Sequence, residues 1–280
     1  MLTSWLRNIT RTQPPTGLLP DLETLAWRDS IEWVYGVAGP RTRFLESQET
    51  LRTLAIESMN REGIVAEFGV HRGKSIRHLS TVMDLLGDDR PIFGFDSWLG
   101  FSEDWTGVEA SYTRELFSTG GVLPDLPDRV KPIQGFIEET APPFFADLPQ
   151  GDSIALAHID TDTHSPARVA LASMRPYFIE GSLILFDEFC GYPNWRSHEY
   201  KALAEVVGLD AIDWLGFATR DLSGGRFIKA LCRVSDQEST LAHSLTYSQS
   251  RYWLVIRSFR CCVGPSAATC TNLSLVPQQN

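Results

Sequence analysis

Three stretches of this sequence run through apolar residues and stop on an acid: Phe93-Gly94-Phe95-Asp96, Ala157-His158-Ile159-Asp160 and Ile184-Leu185-Phe186-Asp187. Carboxylates set at strand ends can accept hydrogen bonds from hydroxyls, hold a hard cation through oxygen, or take a proton. A fourth acid, Glu67, lies inside Val65-Ala66-Glu67-Phe68-Gly69-Val70-His71-Arg72-Gly73-Lys74-Ser75, which reads as a buried strand, a glycine turn and a helix start. Gly69 and Gly73 free the backbone to turn, and Ile76, Leu79, Val82, Met83 and Leu86 then recur at helical spacing. Such a corner aims helix N-terminal N–H groups at whatever lies over the strand's carboxyl end.

Three nucleotide chemistries use corners of this kind. A dinucleotide fold needs G-x-G-x-x-G, and only Gly69 and Gly73 are present. A phosphate loop needs G-x-x-x-x-G-K-[ST], and Gly69 to Gly73-Lys74-Ser75 is one residue short. That near match has support from Leu183-Ile184-Leu185-Phe186-Asp187-Glu188, which looks like the acid-tipped strand that holds Mg²⁺ in nucleotide hydrolases. The third chemistry, an S-adenosylmethionine (SAM) site, accounts for Glu67: a cationic methionine amine attracts a carboxylate there, and a triphosphate is repelled.

The elements that position these acids follow from the pattern. Strands are expected at 64–68, 92–96, 130–134, 154–160, 183–187, 211–217 and 227–232, with helical patterns between most of them. This alternation predicts an α/β fold, a Rossmann-like, doubly wound, mostly parallel sheet, in which the carboxyl ends of strands line the ligand crevice. The first residues, to about Gln13, read as a short amphipathic helix broken by Pro14-Pro15, and two further helices are expected within 21–59. They form an N-terminal helical extension, residues 1–55, that either covers a substrate or packs on the sheet edge. Residues 56–235 are the main domain. The insert 98–128, rich in Gly, Pro and aromatics, reads as a loop or lid with one short helix near Tyr112 and Phe117. Beyond 235 the periodicity fades, and 236–280 is expected to be a partly disordered tail.

The order of these motifs resembles the macrocin/mycinamicin O-methyltransferase family. The resemblance rests on Glu67 to Ser75, on Phe93-Gly94-Phe95-Asp96-Ser97-Trp98-Leu99-Gly100-Phe101, on His158-Ile159-Asp160-Thr161-Asp162 and on Phe186-Asp187-Glu188, and spans about 55–235. It implies a class I SAM-dependent enzyme with a seven-stranded sheet, the last strand antiparallel, that methylates sugar hydroxyls in antibiotic biosynthesis with Mg²⁺. Carried onto this chain, it implies that Glu67, Gly69, Gly73 and Ser75 surround the methionine part of SAM and that Asp96, with Ser97, takes the ribose hydroxyls. Gly135 and Phe136 would flank the adenine. For Asp96 a turn or cap role is the alternative, and for Phe136 a place in the core. Asp160, Asp187 and Glu188 would hold Mg²⁺, although Glu188 stands where Asp or Asn is usual; Asp160, Asp162 or His164 would accept the proton. His158, inside an apolar strand, reads as a core residue. The P-loop-like hydrolase and a non-catalytic interaction protein on the same fold are the other readings.

Composition bounds the partners. A formal charge of −10 and a pI near 5.1 argue against a nucleic-acid partner and for a small hydroxylated acceptor. No apolar run reaches membrane-spanning length, and no secretory leader is seen. Five cysteines without framework spacing or a C-x-x-C pair fit a reducing compartment, so a cytoplasmic enzyme is expected. The family resemblance adds a possible homodimer.

Overall fold

The computed structural model describes residues 17–108, 113–222 and 225–235, and strand and helix alternate along them as expected. Helix α1 (Leu18–Val37) and strand β1 (Arg43–Leu45) lead into α2 (Gln48–Ser58), β2 (Ile64–Phe68), α3 (Lys74–Leu85), β3 (Ile92–Asp96) and β4 (Val130–Gln134). Then come α4 (Ile137–Ala146), β5 (Ile154–Ile159), α5 (His164–Met174), β6 (Leu183–Cys190), α6 (Glu199–Val206), β7 (Ile212–Leu222) and β8 (Gly225–Val234).

The strands form one sheet in the order β1-β7-β8-β6-β5-β2-β3-β4. All pairs are parallel except β6–β8 and β7–β8, so β8 is the antiparallel strand wedged between two parallel neighbours. Every residue of β5 and β6 is buried, as suits strands covered on both faces. Along β2 the side chains divide between two cores. Val65 joins the cluster with Leu51, Ile76 and Leu79, whereas Ala66 and Phe68 join the one with Phe95, Phe145 and Phe186.

From β2 the chain builds β3 and β4 on one side and returns through β5 to the other, so the β2/β5 boundary is the switch point of the sheet. The carboxyl ends of β2, β3, β5 and β6 all open there. The Asp160 N–H donates to the Phe68 carbonyl at 2.8 Å, which stitches the ends of β5 and β2 together.

The seven expected strands are all present, and an eighth, β1, adds a parallel edge to β7. Three residues are too few to show a strand's period, and these lie within 21–59, where only helices are expected from the sequence. The second of those helices, α2, begins at Gln48, where the Ser47 hydroxyl accepts the Thr50 N–H at 3.2 Å. The short helix expected near Tyr112 and Phe117 is absent from the described residues 113–117, of which 114–117 form a turn. The expected helix before Gln13 and the tail from 236 lie outside the described residues. Among the described residues no helix is long and apolar enough to cross a membrane.

Helix α1 is docked by several side chains: the Ser30 hydroxyl accepts the Gly191 N–H at 2.9 Å, Asp29 pairs with Arg196, Val34 is buried, and Trp33 enters an aromatic cluster. The Trp33 ring lies 5.2–6.1 Å from the rings of Phe189, Trp195, Tyr200, Trp214 and Phe217, in tilted or edge-on geometry. Its neighbour on the other face, Tyr35, is 86% exposed. Trp33→Ala should therefore destabilise the protein by about 3 kcal/mol and Tyr35→Ala by less than about 0.5 kcal/mol, as measured by urea unfolding.

Candidate active site

The glycine turn after β2 is built by exclusion of side chains. Gly69 has φ +92°, and a Cβ there would overlap the Asp160 carbonyl oxygen, so the two strand ends approach this closely only with glycine. Gly73, at φ +76°, starts α3 in the same manner. Asp96, arriving on β3, closes the turn from the side. Its Oδ2 accepts the N–H groups of Val70 (2.8 Å) and His71 (2.7 Å), and its Oδ1 accepts that of Trp98 (2.6 Å). One carboxylate thus fixes both the glycine turn and the loop after β3.

That arrangement bears on the phosphate-loop reading. A phosphate loop presents free backbone N–H groups to its ligand. Here those of Val70 and His71 already point at a carboxylate. Ser75 donates its hydroxyl to Glu67 Oε1 at 2.8 Å, and Lys74 is a surface residue 3.9 Å from Glu49.

Beside this corner lies a cavity of about 690 Å³. Gly69, Asp96, Ser97, Phe136 and Ser75, expected to hold the cofactor, and Asp160, Asp162, Asp187 and Glu188 all line it. Helix α2 contributes Gln48 and Arg52, and the insert contributes Phe101, Trp105 and Phe117. The N-terminal extension and the insert therefore both reach the site. The insert is held down where His198 Nε2 meets the Thr106 carbonyl at 2.9 Å and where the Ser165 N–H donates to Glu103 at 2.7 Å.

Four expected residues lie elsewhere. Glu67 is wholly buried behind the turn, its oxygens taken by Ser75 and by His158 Nδ1 at 2.8 Å. Gly73 and Gly135 shape the turns that flank the cavity without lining it. His164, expected as a proton acceptor, instead meets Glu205 of α6 at 2.8 Å, away from the cavity lining. Its position at the first residue of α5 turns it toward α6, and residue spacing carries no sign of that.

The acids stand in a buried charge network that the sequence reading had only in part. Asp187 Oδ1 accepts from Arg52 Nη2 at 2.6 Å, and its Oδ2 pairs with the Lys229 ammonium. Lys229 also donates to the Asp187 carbonyl at 2.8 Å and lies 3.4 Å from Glu188 Oε1. Burial alone would raise the pKa of Asp187, but Lys229, His158 and Arg52 outweigh it and hold it well below the usual carboxylate range. Asp160 and Asp162 go the other way. Burial raises both, reinforced for Asp160 by the charges of Asp187 and Glu188 and for Asp162 by those of Glu188 and Asp160. Glu199, wholly buried, is pushed up to about 8 by burial and by Glu188. It accepts the N–H groups of Thr161 (3.1 Å) and Asp162 (3.2 Å) and so fixes the turn after β5.

Arg52 and Lys229 were missed from the sequence, and Glu199 read only as part of a His164, His198 and Glu199 region near the same edge that sequence alone cannot assemble. Lys229 had a signal, since it interrupts the apolar strand run Phe227-Ile228-Lys229-Ala230-Leu231. A cation in a buried strand needs a buried anion. Arg52, next to Leu51 on the apolar face of α2, is the same case.

Residues 66–189 match the family described as a methyltransferase domain. None of the curated proteins matches the chain. Among solved structures, CalS11, a calicheamicin methyltransferase, is 24% identical over 84% of this chain and 91% of its own, with a TM-score of 0.52, and shares the fold. An apo structure of CalS11, described as a TDP-rhamnose 3′-O-methyltransferase, is 25% identical over 84% of this chain and 93% of its own, with a TM-score of 0.46. The O-methyltransferase NovP is 16% identical over 68% of this chain and 80% of its own, also with a TM-score of 0.46. The domain match, joined to a glycine turn and an acid-tipped β3 at the switch point, supports a SAM-dependent methyltransferase.

His158 supplies a pH test of the network. Burial alone would lower its pKa, but the carboxylates of Asp187 and Glu67, one near each ring nitrogen, outweigh that and raise it from 6.5 to about 9. A raised pKa means that its stabilisation is complete below about pH 6.5 and lost as pH rises through about 9, an effect of about 3 kcal/mol. Glu199 also costs stability as pH rises toward 8, so the comparison must be with a variant. In EDTA, urea unfolding of His158→Gln should show a clearly shallower decline from pH 6.5 to 9.5 than the parent protein; equal declines would contradict the assignment.

Proposed function

We propose that the chain is an O-methyltransferase of the macrocin/mycinamicin kind, moving the SAM methyl group onto a hydroxyl of a small molecule, a sugar or other secondary metabolite. The observation that carries this reading is the shared cavity. The glycine turn and Asp96, suited to SAM, line one space of about 690 Å³ together with the carboxylates of Asp160, Asp162 and Glu188. That volume is within the usual range for a small-molecule site.

The residues present fit both groups. Gly69 leaves room at the turn, the Asp96 carboxylate, with three backbone N–H groups on its roughly four acceptor sites, retains one for a ribose hydroxyl, and Phe136 offers a flat apolar wall. On the opposite side, several carboxylates converge with their pKa values pushed up by one another, which is the donor chemistry of a site for a hard divalent cation such as Mg²⁺. Such an ion, when bound, would acidify an acceptor hydroxyl and hold it in line with the sulfonium methyl.

The chain's own residues supply the rest. Asp162, buried and crowded by Glu188 and Asp160, has a raised affinity for protons and suits the role of acceptor for the hydroxyl proton. Phe101, Trp105 and Phe117 of the insert wall the cavity and exclude water, which strengthens the charge interactions inside it. Arg52 reaches the cavity from α2 and orients Asp187. The net negative charge supports a small-molecule acceptor rather than a nucleic acid, and the same reading takes the enzyme as a cytoplasmic homodimer.

Incubation with SAM and a panel of hydroxylated sugars should release S-adenosylhomocysteine (SAH) with at least one acceptor. Asp160→Asn should keep SAM affinity within about threefold and lose turnover at least about a hundredfold, whereas Asp96→Ala should lose SAM affinity itself at least about a hundredfold. An Asp96→Ala protein with intact SAM affinity would remove the cofactor assignment.

A further inference from the structure

We infer that Glu138, in the first turn of α4, reads the base of the cofactor by accepting a hydrogen bond from the adenine amino group. The inference rests on the SAM reading of the cavity and adds to it a residue that the sequence motifs do not include.

Of the acids that line the cavity, Asp96 holds the glycine turn, and Asp160, Asp162, Asp187 and Glu188 crowd one another. Glu138 is left over. Its Oε1 accepts the Ser102 hydroxyl at 2.6 Å, and its Oε2 is enclosed with no hydrogen-bond partner. An enclosed carboxylate oxygen without a donor is unfavourable, so a donor that arrives with a ligand is welcome there. Helix α4 accounts for the residue only in part. An acid in the first turn suits the helix dipole, but no side chain caps this helix by a hydrogen bond.

Position in the fold decides which donor that is. Strands β3 and β4 run side by side with Asp96 opposite Gln134, and the Gly135 N–H donates to the Asp96 carbonyl at 3.0 Å. The chain therefore enters α4 beside the carboxylate suited to the ribose. Phe136, Ile137 and Glu138, consecutive there, all line the cavity. An aromatic ring, an aliphatic side chain and an acceptor oxygen complement a flat purine whose edge carries an amino donor. A 6-oxo purine would instead set its carbonyl oxygen against the carboxylate, acceptor against acceptor. Ser102, from the insert, also lines the cavity and holds the carboxylate by its other oxygen, so less side-chain freedom remains to be lost when a ligand enters.

The test is calorimetric titration of the full-length chain with SAH and with its 6-oxo analogue, S-inosylhomocysteine, in the parent protein, Glu138→Ala and Glu138→Gln. The parent should bind SAH at least about tenfold more tightly than the analogue. Glu138→Ala should weaken SAH at least about tenfold and bring the two ligands within about threefold of each other. Glu138→Gln keeps the shape, and its amide can turn a donor toward a 6-oxo group, so it should narrow the preference by improving the analogue. A merely structural role would weaken both ligands alike, so the ratio of affinities decides. If Glu138→Ala fails to fold, Glu138→Gln carries the comparison. A parent that binds the two ligands equally, or variants that keep the parent's preference, would overturn the inference and leave the SAM reading standing. A parent that binds neither ligand would overturn both.

Discussion

Charge balance beneath the carboxyl edge of the sheet is the constraint on which the site depends. Glu67, Asp187 and Lys229 are at most 3% exposed, and so is His158 between the two acids. A buried carboxylate without a partner would take up a proton or unfold the region. Four strands and a helix answer this together: β2 brings Glu67, β5 brings His158, β6 brings Asp187, and β8 and α2 bring Lys229 and Arg52. Because each charge comes from a different element, the strand register and the docking of α2 are fixed by the same contacts that set the cavity's electrostatics.

A second carboxylate, Asp96, does the corresponding work at the cofactor corner. Three backbone N–H groups converge on it from two loops, which holds the glycine turn open at a defined shape and uses the donors that a phosphate would need. The difference between this turn and a phosphate loop is therefore one of hydrogen-bond occupancy. The glycine spacing alone, one residue short, left that choice undecided.

The fold was largely legible because buried strands and amphipathic helices have periods that survive in a single sequence. Ile64 to Phe68 could be placed to the residue, whereas β6 runs past its expected end at Asp187 to Cys190. Strand β1 was not, since three edge residues show no alternation, and the insert hid its turns because Gly and Pro mark bends without saying where the chain goes. At the site, the acid-tipped strands were readable one at a time and their convergence followed from the fold class. The cations were not paired with them: Arg52 and Asp187 are 135 positions apart, and nothing in the sequence joins them. His164 shows the converse, a residue near the right strand in sequence whose side chain meets Glu205 instead.

The central claim is that this cavity is built for SAM and not for a nucleoside triphosphate. Calorimetric titration of the EDTA-treated protein with SAM and, separately, with ATP, each repeated after adding Mg²⁺, tests it most directly. The account predicts micromolar SAM binding and no ATP signal under either condition. Mg²⁺-dependent ATP binding with SAM silent would contradict it and would mean that the turn from Gly69 to Ser75 cradles phosphate after all.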